Sequence, residues 1–249
     1  MISPPRILTI AGSDSSGGAG IQADIKTITM LGGYAMSAIT AITAQNTLGV
    51  SMVEVLSPEL VEAQIRACAS DIGVNAVKVG MLGSAANAHA VADLLTSAGV
   101  PVVFDPVMIA TSGAALADAE TIAAFERLMA LATLTTPNVA ELAALGGDAG
   151  MASRGIAYLA KGGDADGDVV EDRLVFPGEE PLIGRAPRIA TRHTHGTGCT
   201  LASAIATYLG MGQPLAEAVD NARAFVRAAI AAAPGFGEGN GPLGHQAAR

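Results

Sequence analysis

The residues best suited to chemistry are His195-Gly196-Thr197-Gly198-Cys199-Thr200, which run directly into the apolar stretch 201–209. Glycines at the start of a helix leave backbone N–H groups free to converge on an anion, and the helix dipole adds to the attraction. A γ-phosphoryl group in transfer needs such a cluster, because charge spreads over its oxygens in a loose transition state. An ordinary helix start with Thr197 as N-cap would leave the same trace.

Three further polar sites fall at expected strand ends. Thr136-Pro137-Asn138 followed by Glu141 sets an amide and a carboxylate three apart at a helix start. That pair suits a hydrated Mg2+ ion, which is usually held through one or two carboxylates plus waters and phosphates. A first-turn acid favoured by the helix dipole would also explain Glu141. Asp105-Pro106 gives another carboxylate, and Lys161-Gly162-Gly163 repeats the strand-end pattern with a cation. Ligands of α/β proteins collect at this edge of the sheet.

A second glycine-rich stretch, from Gly12 to Gly20, lacks the Gly-Lys-Ser/Thr ending of a P-loop. Gly18-Ala19-Gly20-Ile21-Gln22-Ala23 meets a relaxed dinucleotide pattern. The second strand, however, ends in Ala44-Gln45-Asn46, without the acid a ribose requires. A nicotinamide-dependent dehydrogenase is therefore disfavoured. The His193/His195/Cys199 spacing is not a standard zinc spacing, and no second cysteine pair completes it.

The elements that must position these residues alternate short β-branched runs with longer helical ones, the signature of an α/β domain with a mainly parallel sheet. Strands are expected at 6–11, 35–44, 76–79, 102–105 and 131–135. Helices are expected at 21–31, from Ser57-Pro58 onward, from near Ser84 and Asp118, at 139–145, 197–209 and 215–232. The helix after Ser57 would bury Leu60, Val61, Ile65, Cys68 and Ile72. Residues 168–189 read as an antiparallel hairpin at a sheet edge, and 234–249 as an irregular tail. With no repeat or long linker, residues 1–249 are expected to form one domain.

Half of the 249 residues are hydrophobic and only 3% aromatic, so the core must come from Ala, Val, Ile, Leu and Met. A net charge of −9 argues against a nucleic-acid partner, whose binding depends on phosphate neutralisation. Phosphates of a small ligand can still be held by backbone N–H groups and a cation. The first ten residues lack a secretory pattern and no apolar run reaches the ~18 residues of a membrane span. A cytoplasmic protein is expected, with neither a membrane nor a nucleic-acid partner.

Taken together the motifs resemble one family. The stretch from Ala11 to Asp24, Thr43-Ala44-Gln45-Asn46-Thr47, Lys78-Val79-Gly80-Met81-Leu82 and Asp105-Pro106-Val107-Met108 look like segments of hydroxymethylpyrimidine/phosphomethylpyrimidine kinase. So do Thr136-Pro137-Asn138, Lys161-Gly162-Gly163 and the run from His193 to Thr200, all in family order between about Arg6 and Ala231. The resemblance implies a ribokinase-like three-layer αβα sandwich, ATP with Mg2+, and two successive phosphorylations of 4-amino-5-hydroxymethyl-2-methylpyrimidine in thiamine biosynthesis. It implies that Asp24 and Gln45 hydrogen-bond the aminopyrimidine and that Gly12, Met81 and Met108 line its pocket. Asp105, Asn138, Glu141 and Lys161 would handle ATP, with Glu141 and Asp105 toward the metal, and a homodimer is the common assembly. Plain core packing would equally account for Met81 and Met108.

Two departures from the family stand out. The 146–155 segment looks too short for a multi-turn helix with its connections, and Asp164 stands where histidine is common. Many ribokinase-like sugar kinases carry an aspartate base at the position of Cys199. At a helix N-terminus the thiol pKa is expected below its free value of about 8.5, which leaves open both a base and a small packing residue. His89 and His245 are expected to be incidental. The rivals are a pyridoxal/pyridoxine kinase of the same fold and a non-catalytic pyrimidine sensor.

Overall fold

The structure, a computed structural model, describes residues 3–109, 113 and 116–248, so the expectations for residues 1, 2 and 249 lie outside the described residues. In chain order the elements are β1 (Arg6–Asp14), α1 (Gly20–Met30), β2 (Tyr34–Gln45), β3 (Val50–Val55), α2 (Pro58–Asp71), β4 (Ala76–Val79) and α3 (Ala85–Leu95). There follow β5 (Val102–Phe104), α4 (Ala119–Leu131), β6 (Leu134–Thr135), α5 (Val139–Ala144), α6 (Gly147–Arg154) and β7 (Tyr158–Ala160). The hairpin β8 (Val169–Val175) and β9 (Leu182–Pro187) precedes α7 (Thr197–Gly210), α8 (Leu215–Ala231) and a short 3₁₀ turn (His245–Ala247).

The strands form one sheet in the order β3-β2-β1-β4-β5-β6-β7-β8-β9. β2, β1 and β4 to β7 are parallel, while β3 and the β8–β9 hairpin pair antiparallel at the two edges. β3 was not expected from the sequence. It lies at an edge with no residue buried, so it lacks the hydrophobic face by which strands are recognised.

Side chains of the buried strands alternate between two cores, which is what makes three layers. Leu8, Ile10, Val77, Val79 and Phe104 face α2, α3 and α4, together with Met151 of α6. Ile7, Ala76, Val103 and Leu159 face α1, α7 and α8. Helix α7 is buried almost all round, and its Ala202, Ala204 and Ala206 let it lie close to the sheet between α1 and α8.

Four expectations are corrected. Residues 146–155 do hold a helix, the eight-residue α6, because left-handed glycines at both ends (Gly146 φ 92°, Gly155 φ 63°) turn the chain without extra linker. Met151 of that helix is fully buried, so this part of the sheet is covered. Leu131 ends α4 rather than starting a strand, and Leu60 is half exposed on α2. The tail is irregular but anchored, and its His245 is not incidental: Leu243 and His245 are buried, and Nε2 of His245 pairs with Oγ1 of Thr200 at 2.9 Å. His245 is thus a packed residue, and burial holds its pKa down to about 4.

One polar cluster lies inside the second core. The carboxylate of Asp24 on α1 accepts from Lys78 Nζ of β4 at 2.9 Å, Thr9 Oγ1 of β1 at 2.5 Å and Ser203 Oγ of α7 at 2.7 Å. The Lys78 and Asp24 side chains are both 0% exposed. Despite burial, which works against its charge, Asp24 keeps the Lys78 pKa well above the usual lysine range. Removing one partner of such a pair strands the other charge in the core. Lys78→Met is expected to lose about 3–5 kcal/mol in urea unfolding, and Lys78→Met combined with Asp24→Leu to lose clearly less than that single change.

Candidate active site

The site lies at the C-terminal ends of the parallel strands, around the point where the order reverses between β1 and β4. A cleft of about 520 Å³ runs from Gly12, Gln45 and Met81, past Asp105, Asn138, Glu141 and Lys161, to Val226 and Ile230 of α8. Gly196, Thr197, Gly198 and Cys199 line its middle. Gly196 adopts a left-handed conformation (φ 88°) directly before α7, so the turn needs glycine and leaves the first amides of the helix unpaired by side-chain caps.

Lys161, at the end of β7, joins the acids to this turn. Its Nζ contacts Asp105 Oδ1 at 2.7 Å and Glu141 Oε2 at 3.9 Å. It also lies 3.2 Å from where a Cβ on Gly198 would stand, with Asp105 Oδ2 at 3.6 Å from the same point. Thr136 Oγ1 donates to Asp105 Oδ1 at 2.9 Å. Asn138 caps α5 by accepting from the Glu141 amide at 2.9 Å, and Glu141 Oε2 accepts from the Asn138 amide at 2.8 Å. Burial and the nearby Asp105 push the Glu141 carboxyl up to about 7, against the pull of Lys161 and of the Asn138 and Met108 amides. Burial alone would lower the Lys161 pKa, but Asp105 and Glu141 hold it above the usual lysine value.

Two expected residues stand outside the cleft. Asp24 is fully buried beneath it, and its carboxylate is taken up by Lys78, Thr9 and Ser203. The Met108 side chain packs in the first core while its amide serves Glu141. Gly12 and Met81 do meet: a Cβ on Gly12 would sit 3.0 Å from Met81 Sδ.

The expectation for Cys199 is corrected in direction. Burial, reinforced by the negative charges of Asp24 and Asp105, drives its thiol pKa up to about 11 although Lys78 and the Gly20 amide pull it down. The magnitudes explain the outcome. A helix terminus is worth roughly 0.3–2 kcal/mol, while desolvation can shift a buried group by up to about 3–5 pKa units. The setting of the thiol at the cleft wall thus favours its protonated form over the thiolate.

Sequence reasoning missed several cleft residues. Arg188 after β9 and Arg223 and Arg227 of α8 line its far end beside Val170, Ala186 and Ile189. Arg223 Nε donates to Asp172 Oδ2 at 2.8 Å, and Asp172 Oδ1 accepts from the Gly162 amide at 2.9 Å, which orders the turn after Lys161. Nothing in their spacing brings β8, β9 and α8 together. His195 and Asp14 each lay in a glycine-rich run singled out from the sequence, but their pairing at 2.8 Å, across 181 positions, was not foreseen.

The family model described as phosphomethylpyrimidine kinase matches residues 14–244. The chain belongs to the phosphomethylpyrimidine kinase family. It is 49% identical over 255 residues to hydroxymethylpyrimidine/phosphomethylpyrimidine kinase of Rhizobium meliloti (strain 1021), covering 96% of each chain. A thiamine biosynthesis bifunctional protein of Geobacter sulfurreducens is 47% identical over 255 residues, 96% of this chain and 52% of that longer protein. Among solved structures, pyridoxal kinase from Staphylococcus aureus in complex with AMP-PCP and pyridoxal is similar with a TM-score of 0.88 at 32% identity, over 99% of this chain and 95% of that one. The fold is thus ribokinase-like, and the protein is a kinase by family.

The protonated state of Cys199 can be read directly. In a Cys68→Ser background without ligands, alkylation of Cys199 by iodoacetamide should be slow at pH 7 and keep rising beyond pH 9. A plateau reached below pH 8 would contradict the burial argument.

Proposed function

We propose that the protein phosphorylates 4-amino-5-hydroxymethyl-2-methylpyrimidine with ATP, first to the monophosphate and then to the diphosphate, in thiamine biosynthesis. The observation that carries this reading is a single cleft with the Gly196–Cys199 turn at its middle, flanked by Lys161 and two carboxylates on one side and by Gly12, Gln45 and Met81 on the other. A polar heterocycle wants a few placed hydrogen-bonding groups among apolar walls, and the Gln45 side meets that need. The apolar far wall of Val170, Ala186, Ile189, Val226 and Ile230 suits the adenine base, with the guanidinium groups of Arg188, Arg223 and Arg227 nearby.

The residues fit Mg2+ in the manner that ion prefers. Glu141 and Asp105 are two carboxylates facing one lysine, and burial leaves Glu141 short of positive charge. Among the described residues there is no group of three or more side chains that could form a complete cage, which agrees with an ion held partly by waters and phosphates. When bound, Mg2+ would neutralise phosphate charge during transfer.

The chain's own residues supply the rest. Lys161 and the amides of the Gly196–Cys199 turn gather the charge that builds on the phosphoryl oxygens. The acceptor hydroxyl can lose its proton late, because bond formation lags in a loose transition state. A thiol held near pKa 11 is a poor base at neutral pH, so Cys199 acts through its backbone and by excluding water. In the second step the acceptor is a phosphate with a second pKa near 6, already ionised. A thiolate base would make Cys199→Ala slow the first phosphorylation far more than the second; the protonated thiol predicts similar, modest losses in both. Mass spectrometry of products from Mg-ATP and a panel of hydroxymethyl heterocycles reads both steps. Turnover of pyridoxal alone would replace the pyrimidine by the substrate named for the Staphylococcus aureus structure.

A homodimer is part of this reading. Ile42 and Met52 are 51% and 68% exposed on one face of the paired β2–β3 edge, with Leu48 beside them. Such a row is apolar surface that a second copy can cover. Wild-type protein should sediment as a dimer and Met52→Glu as a monomer; a monomeric wild type at micromolar concentration ends this part of the proposal.

A further inference from the structure

His195 stands where the two halves of the cleft meet. Its Nε2 lies 2.8 Å from Asp14 Oδ2 and 3.2 Å from Nε2 of Gln45. Asp14 ends β1, and its carboxylate also accepts from the amides of Ser16, Gly18 and Ala19 at 2.8, 3.0 and 2.8 Å. Burial works against its charge, but the hydrogen bonds from His195, Ser16 and Ala19 prevail and hold its pKa down to about 2. With Asp14 ionised, the His195 ring donates to it. The ring is buried, and its backbone is fixed separately, the amide donating to Gly241 O at 3.1 Å.

The two glycine turns touch at this point. A Cβ on Gly18 would stand 2.3 Å from His195 Cδ2, and a Cβ on Gly196 would stand 1.9 Å from Gly18 O. Both positions therefore require glycine, and the first turn packs directly on the phosphate-facing one. Yet the two turns belong to different elements, one between β1 and α1 and the other at the start of α7. Gln45, on the acceptor side, ends a third.

Phosphoryl transfer depends on holding the acceptor oxygen in line with the phosphorus, and an error of about 1 Å can cost ~100-fold in rate. We propose that His195 is a positioning residue: clamped by Asp14, it registers the Gly196–Cys199 turn against the first glycine turn. Its imidazole spans from one turn to the other, and the residue that follows it opens the anion cradle. The proposal rests on the kinase reading for its consequence in catalysis, while the clamp itself is a statement about structure.

The test uses the full-length protein and three variants. His195→Leu removes the donor, His195→Gln returns an amide N–H at a similar reach, and Asp14→Asn weakens the acceptor. His195→Leu should lower kcat by ~100-fold with the ATP KM within about threefold, and His195→Gln should recover at least ~10-fold of that loss. Asp14→Asn added to His195→Leu should lower kcat little further, because the two act as a unit. Hydrogen exchange supplies a readout independent of any substrate. In His195→Leu, amides of residues 15–20 should exchange faster although the change lies at 195, while the core strands keep their protection. Unchanged exchange at 15–20 overturns the clamp, as does a fall in kcat that only tracks the loss of folded protein. Wild-type protein that transfers no phosphate to any hydroxymethyl heterocycle defeats the kinase reading instead, and the exchange result still decides the clamp.

Discussion

A lysine and an aspartate with no exposure to water sit directly beneath the cleft, and the surrounding elements are arranged around their charges. Lys78 and Asp24 would each be costly to bury alone. Together with Thr9 and Ser203 they bind β1, β4, α1 and α7 at one point. These are the elements whose ends build the glycine turns, so the angle at which α7 presents its first amides is set from below. An apolar cluster could pack as tightly, but hydrogen bonds of fixed direction restrict how the helices slide along the sheet.

The same economy of charge shapes the floor of the cleft. Two carboxylates and one ammonium in partial burial leave a local excess of negative charge, which raises Glu141 and favours a cation there. Cys199 belongs to the same field. Near Asp24 and Asp105, it is a thiol that a helix terminus alone would make more acidic and that its setting makes less so. Local sequence indicates the dipole, whereas only the folded chain reveals the acids.

This divides what could be read from residues alone. The strand-end motifs at Asp105, Asn138 and Lys161 and the helix start at Gly196 were legible because strand, turn and helix start are local patterns, and parallel strands bring their ends to one edge. β3 was not, since an exposed edge strand carries no burial pattern. Asp24 was placed in the substrate pocket by its motif, yet its partners lie at positions 9, 78 and 203, far from it in sequence. The α6 helix was missed because left-handed glycines shorten its connections in a way that counting residues does not show. The far wall of the cleft was invisible for a similar reason, as β8, β9 and α8 meet only in three dimensions.

The anchored tail carries a final consequence. Its Gly239 and Asn240 amides donate to Thr47, Arg192 donates to the carbonyls of Gly237 and Glu238, and Gly241 O accepts from the His195 amide. The loop after Gln45 and the segment before Gly196 are thus fastened by the same short stretch of chain. Terminal segments open most readily in folded proteins. Each opening of this one would loosen both banks of the cleft at once, so ligand occupancy and order at the C-terminus form one equilibrium, and whatever favours either must favour the other.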